Sequence, residues 1–582
     1  MMDSDALLPY YEREIAFLRE EAGEFARRYP RVAGDLMLSE QGSEDPNIRR
    51  LMQSVALLTA RVNMRLGDDY AGFAENLLDA LYPQHSQARP SCAIARFSRA
   101  SMGSSEIMSP DVSTRHGALP SVRFKALFSP SVSDPDVSGV EFHGAQPLIF
   151  GDDVWTGASL CLSFDSPVPP DIRLFVAGNP SFAPVIRDAL FFDVQGLAVQ
   201  QPSGSLLSAG SLSWVSPDDV EALVPSMFSD HPGYDLLRDL FCFPDKFGFF
   251  DIRLPELGFP VQAIRLLLSP TDGSARDTML SRLKPGHLLT RCAPVVNLYS
   301  SSVTFGPRDA GRSQYTITGT HAKTAVVAVR SVHLRSGEGT RGEAVPHYFH
   351  GRRPGAARSG CFWVSHPGGP TAADPAPDGS IRLMLVDDER RPLTESTTLS
   401  VEALCCDSDV PALLASGTSS AVLHGGSRDE PVARLLTSPT RYESAPPRKE
   451  AGWHLLSHLR LSHSSLLGPD AAVLREFLAL HAPQHSDARH SIDGVIGVAR
   501  RGVTQWMPGE FPPTLVRGTE ITLTVDETHF VGLGLHAWVQ VLDRFFAAYA
   551  QINSFTQLVL RSSQTGKEIH RCPPNTGTGP LI

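Results

Sequence analysis

The chain has 582 residues, too many for one ordinary hydrophobic core, so three or four domains are expected. Apolar residues make up 42% and charged residues 20%, which excludes a chain disordered throughout. A net charge of −11 with no long basic run disfavours nucleic-acid binding.

The opening MMDSDALLPYYERE is acidic and lacks a basic stretch followed by an apolar one, so no cleaved signal peptide is expected. No apolar run is long enough for a membrane-spanning helix, and the protein reads as soluble and cytoplasmic. The first helix is predicted from about Pro9 to Arg28, where Tyr29-Pro30 ends it. Tyr11, Ile15, Leu18, Ala22, Phe25 and Tyr29 are spaced 4, 3, 4, 3, 4, a heptad seam with glutamate and arginine between. So narrow a seam wants another helix against it, within the chain or from a partner, and the pattern alone leaves both open. Asp45 as N-cap and Pro46 at the first helical position start a second helix, with Ile48, Met52, Val55, Leu58 and Val62 on its apolar face. A further segment carries Phe73, Leu77 and Leu81 before Tyr82-Pro83.

From about Ser91 the period changes to that of strands: 93–97, 122–127, 160–164 and 172–176, separated by proline- and glycine-rich turns. Ala183 to Leu190 reads as a helix packed on a sheet. Tyr234 to Phe243 is a short amphipathic helix stopped by Pro244, and the aromatic run Phe247, Phe249, Phe250 reads as core strand rather than a stacking site. Residues 335–380 read as long loops around a strand at 360–364, and strands follow at 381–386 and 398–405. After a loop-like 416–448, helices are expected at 453–461, 471–481 and 535–549. Strands are expected at 519–525, where Ile521, Leu523 and Val525 alternate with polar residues, and at 555–560. The fold class is α+β, a helical N-terminal region followed by several β-rich mixed domains. The divisions are drawn at 1–85, 86–300, 301–440 and 441–582.

Eight cysteines are scattered with no C-x-x-C pair, as in reduced, buried thiols. Adjacent Cys405 and Cys406 read as strand neighbours facing opposite ways, since a vicinal bridge is strained. His454 and His458, and His481 and His485, have i,i+4 spacing, and His347 and His350 share a loop, but no third metal ligand accompanies any pair. Asp526-Glu527 after a strand reads as turn initiation, because neighbouring carboxylates along a strand point apart. Gly532-Leu-Gly534 lacks the third glycine of a dinucleotide fingerprint, and there is no Walker A or G-x-S-x-G sequence. No catalytic residue, metal ligand or cofactor is expected. Interfaces are better marked than any reactive site.

A long ordered set of segments carries a resemblance. LLPYYEREIAFLREEAGEFARRYPRVAGDL, EDPNIRRLMQSVALLTARV and FAENLLDALYP open it. Tyr234-Asp-Leu-Leu-Arg, FPDKFGFFDI (243–252), CAPVVNLY (292–299), LSVEALCCDSDVP (399–411), WHLLSHLRL (453–461), RGTEITLTVDE (517–527) and VLDRFFAAYAQINSFTQLVLRS (541–562) continue it. Together they resemble the TssF (ImpG/VasA) family of type VI secretion baseplate subunits over nearly the whole chain. The chain departs from it at Cys405-Cys406-Asp407, where the family commonly has Cys-Thr-Asn, and matches weakly in 300–400. The resemblance implies a non-enzymatic, elongated wedge subunit on the cytoplasmic side of the inner membrane. The implied partners are TssG, TssK and further TssF copies, with TssE and the VgrG hub as further contacts. It implies that Tyr11, Ile15, Leu18, Ala22, Phe25 and Tyr29, with Val55 and Val62, form an intermolecular helical bundle. Two rivals are a wedge protein of a contractile phage-like baseplate and a cytosolic hydrolase with an unrecognised site.

Overall fold

A computed structural model describes residues 4–577 apart from 36–37, 40–41, 44, 82–86, 100–105, 109–111, 115–116, 120–121, 151–152, 202–204, 226–231, 271–274, 306–313, 322, 336–342, 349–360, 368–369, 372–373, 376–378, 388–397, 415–421, 425–430, 445–465, 469–470, 483–487, 508–513 and 551–552. The fold is α+β, with a helical N-terminal segment followed by several separate sheets. The expected helix at 453–461, with His454 and His458, lies outside the described residues.

The first helix, Ser4–Arg28, starts a turn earlier than the sequence reading put it and accommodates Pro9 inside. After Tyr29 the chain turns helical again over Pro30–Asp35. Proline disfavours helix at the residue before it but is itself well suited to a first helical position. The second long helix runs unbroken from Pro46–Leu81. Asp45 caps it as expected, its Oδ1 accepting from the Asn47 amide at 2.8 Å. Gly67 does not divide it. One interior glycine costs about 1 kcal/mol, which a helix of this length outweighs.

Downstream, Cys292–Val296, Cys92–Phe97, Pro431–Leu435, Val422–His424, Glu106–Met108 and Arg123–Ala126 close a small barrel in that order. Phe97, Phe124, Val295 and Leu423 fill it with alanines between them. This closure joins stretches on both sides of the division drawn at 300/301. A five-stranded and a four-stranded sheet, with the helix Ala183–Phe192, enclose a second core around Leu174, Ile186, Phe250 and Leu266. A third is a sandwich in which Val329 and Val401 of one sheet face Trp363 and Leu383 of the other.

At the C-terminus, Thr514–Val525 pairs in parallel with Ser554–Ser562 across the helix Leu535–Ala547, a strand–helix–strand crossover. The expected alternation holds: Ile521, Leu523 and Val525 are all buried. The helices Pro232–Cys242 and Ala471–His481 complete this core, with Tyr234 and Phe477 packed on Phe545 and Phe241 on Trp538. Cys405 and Cys406 do face opposite ways. Cys405 belongs to the sandwich core and Cys406 to a different core around Phe249.

Candidate functional site

The first helix lies along the second long one. Gly23, Ala56 and Ala60 are buried between them, small residues that allow close approach, and Asn63 Nδ2 donates to Glu14 Oε1 at 2.8 Å. Tyr11, Ile15, Leu18 and Ala22 are half-buried, whereas Phe25 and Tyr29 are exposed with their rings 5.3 Å apart. The seam is therefore only partly covered within the chain.

The sequence reading placed Ile48, Met52, Val55, Leu58 and Val62 on one face. In the fold that stripe is split. Ile48, Met52 and Asn63 are half-buried, Ala56 and Ala60 are buried, and Asn63 meets Glu14 of the first helix. Leu51, Val55, Leu58 and Val62, spaced 4, 3, 4, lie on the adjacent flank and are 64%, 41%, 61% and 57% exposed. Leu8, Phe17, Val32 and Leu57 add to the exposed apolar surface of this helical region. No other part of the described chain exposes as many large apolar side chains. Elsewhere they occur in small groups, including two cross-strand pairs. Ile149 opposes Val154 in one antiparallel strand pair, and Trp506 opposes Leu515 in another.

The family-like segments meet in pairs inside the fold. Asn297 and Asp407, 110 residues apart, clasp each other. The Asp407 amide donates to Asn297 Oδ1 at 2.7 Å, and Asn297 Nδ2 donates to Asp407 Oδ2 at 2.8 Å. The Tyr299 hydroxyl donates to Asp407 Oδ1 at 2.9 Å, and burial with that carboxylate raises the phenol above its usual range. Asp407, where the resemblance leads one to expect asparagine, is thus fully engaged.

A second pair is ionic. Asp239 and Lys246 are buried, and Lys246 Nζ donates to Asp239 Oδ2 at 2.6 Å and to the Glu221 carbonyl at 2.8 Å. The Leu223 amide donates to the same carboxylate at 3.1 Å. Beside it Arg238 donates to the Val224 carbonyl and to Gln87 Oε1, tying the segment after the helical region to the core. Sequence reading missed this network. Its only trace is that charged residues recur inside an otherwise apolar helix and the aromatic run after it.

The residues weighed for chemistry have structural places. His481 is buried and its Nδ1 lies 2.9 Å from the Phe477 carbonyl. His347 sits edge-on to Trp363 with ring centroids 4.5 Å apart. His350 and His485 lie outside the described residues. Asp526 caps a short turn by accepting from the Thr528 amide at 3.1 Å, as turn initiation requires. Gly534 begins the helix Leu535–Ala547 at φ +85°. All eight cysteines are free thiols. Burial pushes Cys242 and Cys405 up to about 11 and Cys292 and Cys406 up to about 12, so at neutral pH these sulfurs are protonated and poor nucleophiles. Among the described residues no His, Cys, Asp and Glu group has a metal-binding arrangement, and no helix is long and apolar enough to cross a membrane.

The fold therefore devotes its polar chemistry to internal joints and leaves one large apolar surface uncovered. The sequence profile of the type VI secretion system TssF family matches residues 2–116 and 159–579. The chain belongs to the TssF family. The type VI secretion system component TssF1 of Pseudomonas aeruginosa is 26% identical, over 99% of each chain. The fold matches a chain in a cryo-electron microscopy structure of a TssK-TssF-TssG baseplate subcomplex, with TM-score 0.67 and 20% identity, over 92% of this chain and 99% of that one. A second match, to a chain in a type VI secretion baseplate complex, has TM-score 0.53 and 20% identity, over 99% of this chain and 100% of that one. The family match runs unbroken across 300–400 and leaves out 117–158. That unmatched stretch contains Ile149 and Val154, so this exposed pair lies outside what the TssF profile describes.

Proposed function

We propose that the chain is a structural, non-enzymatic wedge subunit of a type VI secretion baseplate, assembling with TssG and TssK at the cytoplasmic side of the inner membrane. Family membership and the baseplate complexes in which the matching folds were solved support this. The observation that carries it is the exposed stripe Leu51, Val55, Leu58 and Val62 on the second long helix, together with the half-covered Tyr11–Tyr29 seam on the first. Two heptad-spaced flanks on one helical pair, neither fully covered, suit a bundle that another helix completes. Left in water, so much apolar surface favours association, and a wedge subunit is the setting in which it is covered. Further copies of the chain, TssE and the VgrG hub are additional contacts of the same assembly. The seam of Tyr11, Ile15, Leu18, Ala22, Phe25 and Tyr29, with Val55 and Val62, is the joint.

The test is co-purification with TssG. Ile15→Asp and Leu18→Asp place a carboxylate in the seam and are expected to abolish capture of TssG while circular dichroism still reports a folded chain. A folded variant with undiminished TssG would contradict the assignment.

A further inference from the structure

A shallow depression of about 400 Å³ is lined by Asn179, Phe182, Arg282, Lys284 and His287, with no carboxylate among them. In a chain of net charge −11 it stands out as a basic site. Arg282 and Lys284 are exposed, and neither side chain forms an ion pair among the described residues. His287 is set by its own turn. Its Nδ1 accepts from the Lys284 amide at 3.2 Å, and its backbone carbonyl accepts from Ala177 at 2.8 Å, leaving Nε2 for a ligand. Its ring lies 4.7 Å from that of Phe182. Burial and the Lys284 charge hold this imidazole below its ordinary range, and no acid offsets them. The helix Ala183–Phe192 begins at the same place with no side-chain cap, so its positive end adds to the field.

We infer that this depression docks an acidic segment of a neighbouring protein, its carboxylates seated between Arg282 and Lys284. The inference rests on reading the chain as an assembly subunit. The lining suits a protein segment. It is open rather than enclosing, with the Phe182 ring beside the charged Arg282 and Lys284, whereas a small-molecule site closes round most of its ligand. A long polyanion such as nucleic acid would meet the acidic remainder of the surface, whereas a short segment needs only the local charge. Exposed charge pairs of this kind steer and select a partner more than they tighten it.

The test uses the full chain and a fluorescein-labelled hexaglutamate peptide, followed by anisotropy at about 50 mM salt, where screening is modest. Saturable binding is expected. Arg282→Glu with Lys284→Glu should weaken it at least about tenfold with an unchanged melting temperature. The swap Arg282→Lys with Lys284→Arg should keep it. Equal binding by the double-glutamate variant would overturn the proposal. So would full displacement by equimolar inorganic phosphate, which would make this a small-anion site. Co-sedimentation with phosphatidylglycerol vesicles that depends on the two residues, without peptide binding, would also overturn it in favour of a lipid surface. Loss or retention of TssG by the seam variants judges the assembly reading separately, so the two failures are distinguishable.

Discussion

Asp188 and His536, 348 residues apart, form a single joint between the central core and the C-terminal helix. Asp188 Oδ1 accepts from His536 Nδ1 at 3.0 Å and from its amide at 2.8 Å, while Oδ2 accepts from the Leu535 amide at 3.0 Å. Gly534 stands at the N-cap and has no side chain to offer. A carboxylate from another element supplies the cap instead, and its charge suits the helix's positive end.

Asp188→Ala removes the cap and leaves a buried ring nitrogen without its acceptor. The expected cost is about 2 kcal/mol, read as a lower urea midpoint. Asp188→Asn keeps one acceptor oxygen and should fall between the two.

The same joint sets a pH dependence. Burial holds the His536 imidazole below its ordinary range although Asp188 pulls the other way; nearby Arg187 adds to the lowering. The unfolded chain therefore binds a proton here at a pH where the folded chain does not. Stability from this residue is present above the unfolded value, about 6.5, and is lost as pH falls from there toward the folded value. His287 and His570 are lowered too and act in the same direction. Denaturant midpoints should drop between about pH 7 and pH 5.5, and less steeply in His536→Gln.

What was legible in the sequence was local. Asp45 and Pro46 announce a helix start, Asp526 a turn, and the alternation of Ile521, Leu523 and Val525 a strand, because capping and side-chain period act over a few residues. Cys405 and Cys406 pointing apart follows from strand geometry alone. The Asp188–His536 joint, the Asn297–Asp407 clasp and the barrel that unites Cys92–Phe97 with Pro431–Leu435 have no such trace, since partners so distant leave no shared period. The second helix shows the limit most clearly. Its spacing reveals a broad apolar stripe, but only packing decides that Ala56 is covered while Val55 is not.

The buried Asp239–Lys246 pair should behave as a unit. Lys246→Met takes the ammonium from a carboxylate at zero exposure, leaving it the Leu223 amide and Arg238 Nε at 3.6 Å, and is expected to cost about 3 kcal/mol. Asp239→Leu combined with Lys246→Met should cost less than the sum of the single changes, because neither partner is then left buried without the other, while Arg238 keeps Asp235 at 3.2 Å. A double-mutant cycle in urea measures the difference, and additive costs would show that the pair is not coupled.

The two long helices approach through small residues. Ala60→Leu overpacks that contact and is expected to cost about 1–3 kcal/mol within the helical region. The change should appear as faster proteolysis between residues 4 and 81, with the melting of the β-rich remainder unaltered.

The most direct measurement is the affinity of the purified chain for TssG with Val55→Asp and Val62→Asp together. Both residues are exposed in the isolated chain, so stability should change by less than about 0.5 kcal/mol per site. A carboxylate trapped in a bundle seam is unpaired and desolvated, so the complex is expected to weaken at least about hundredfold. A variant that melts like the parent and still binds TssG with parental affinity would contradict the assignment of this flank as the assembly joint.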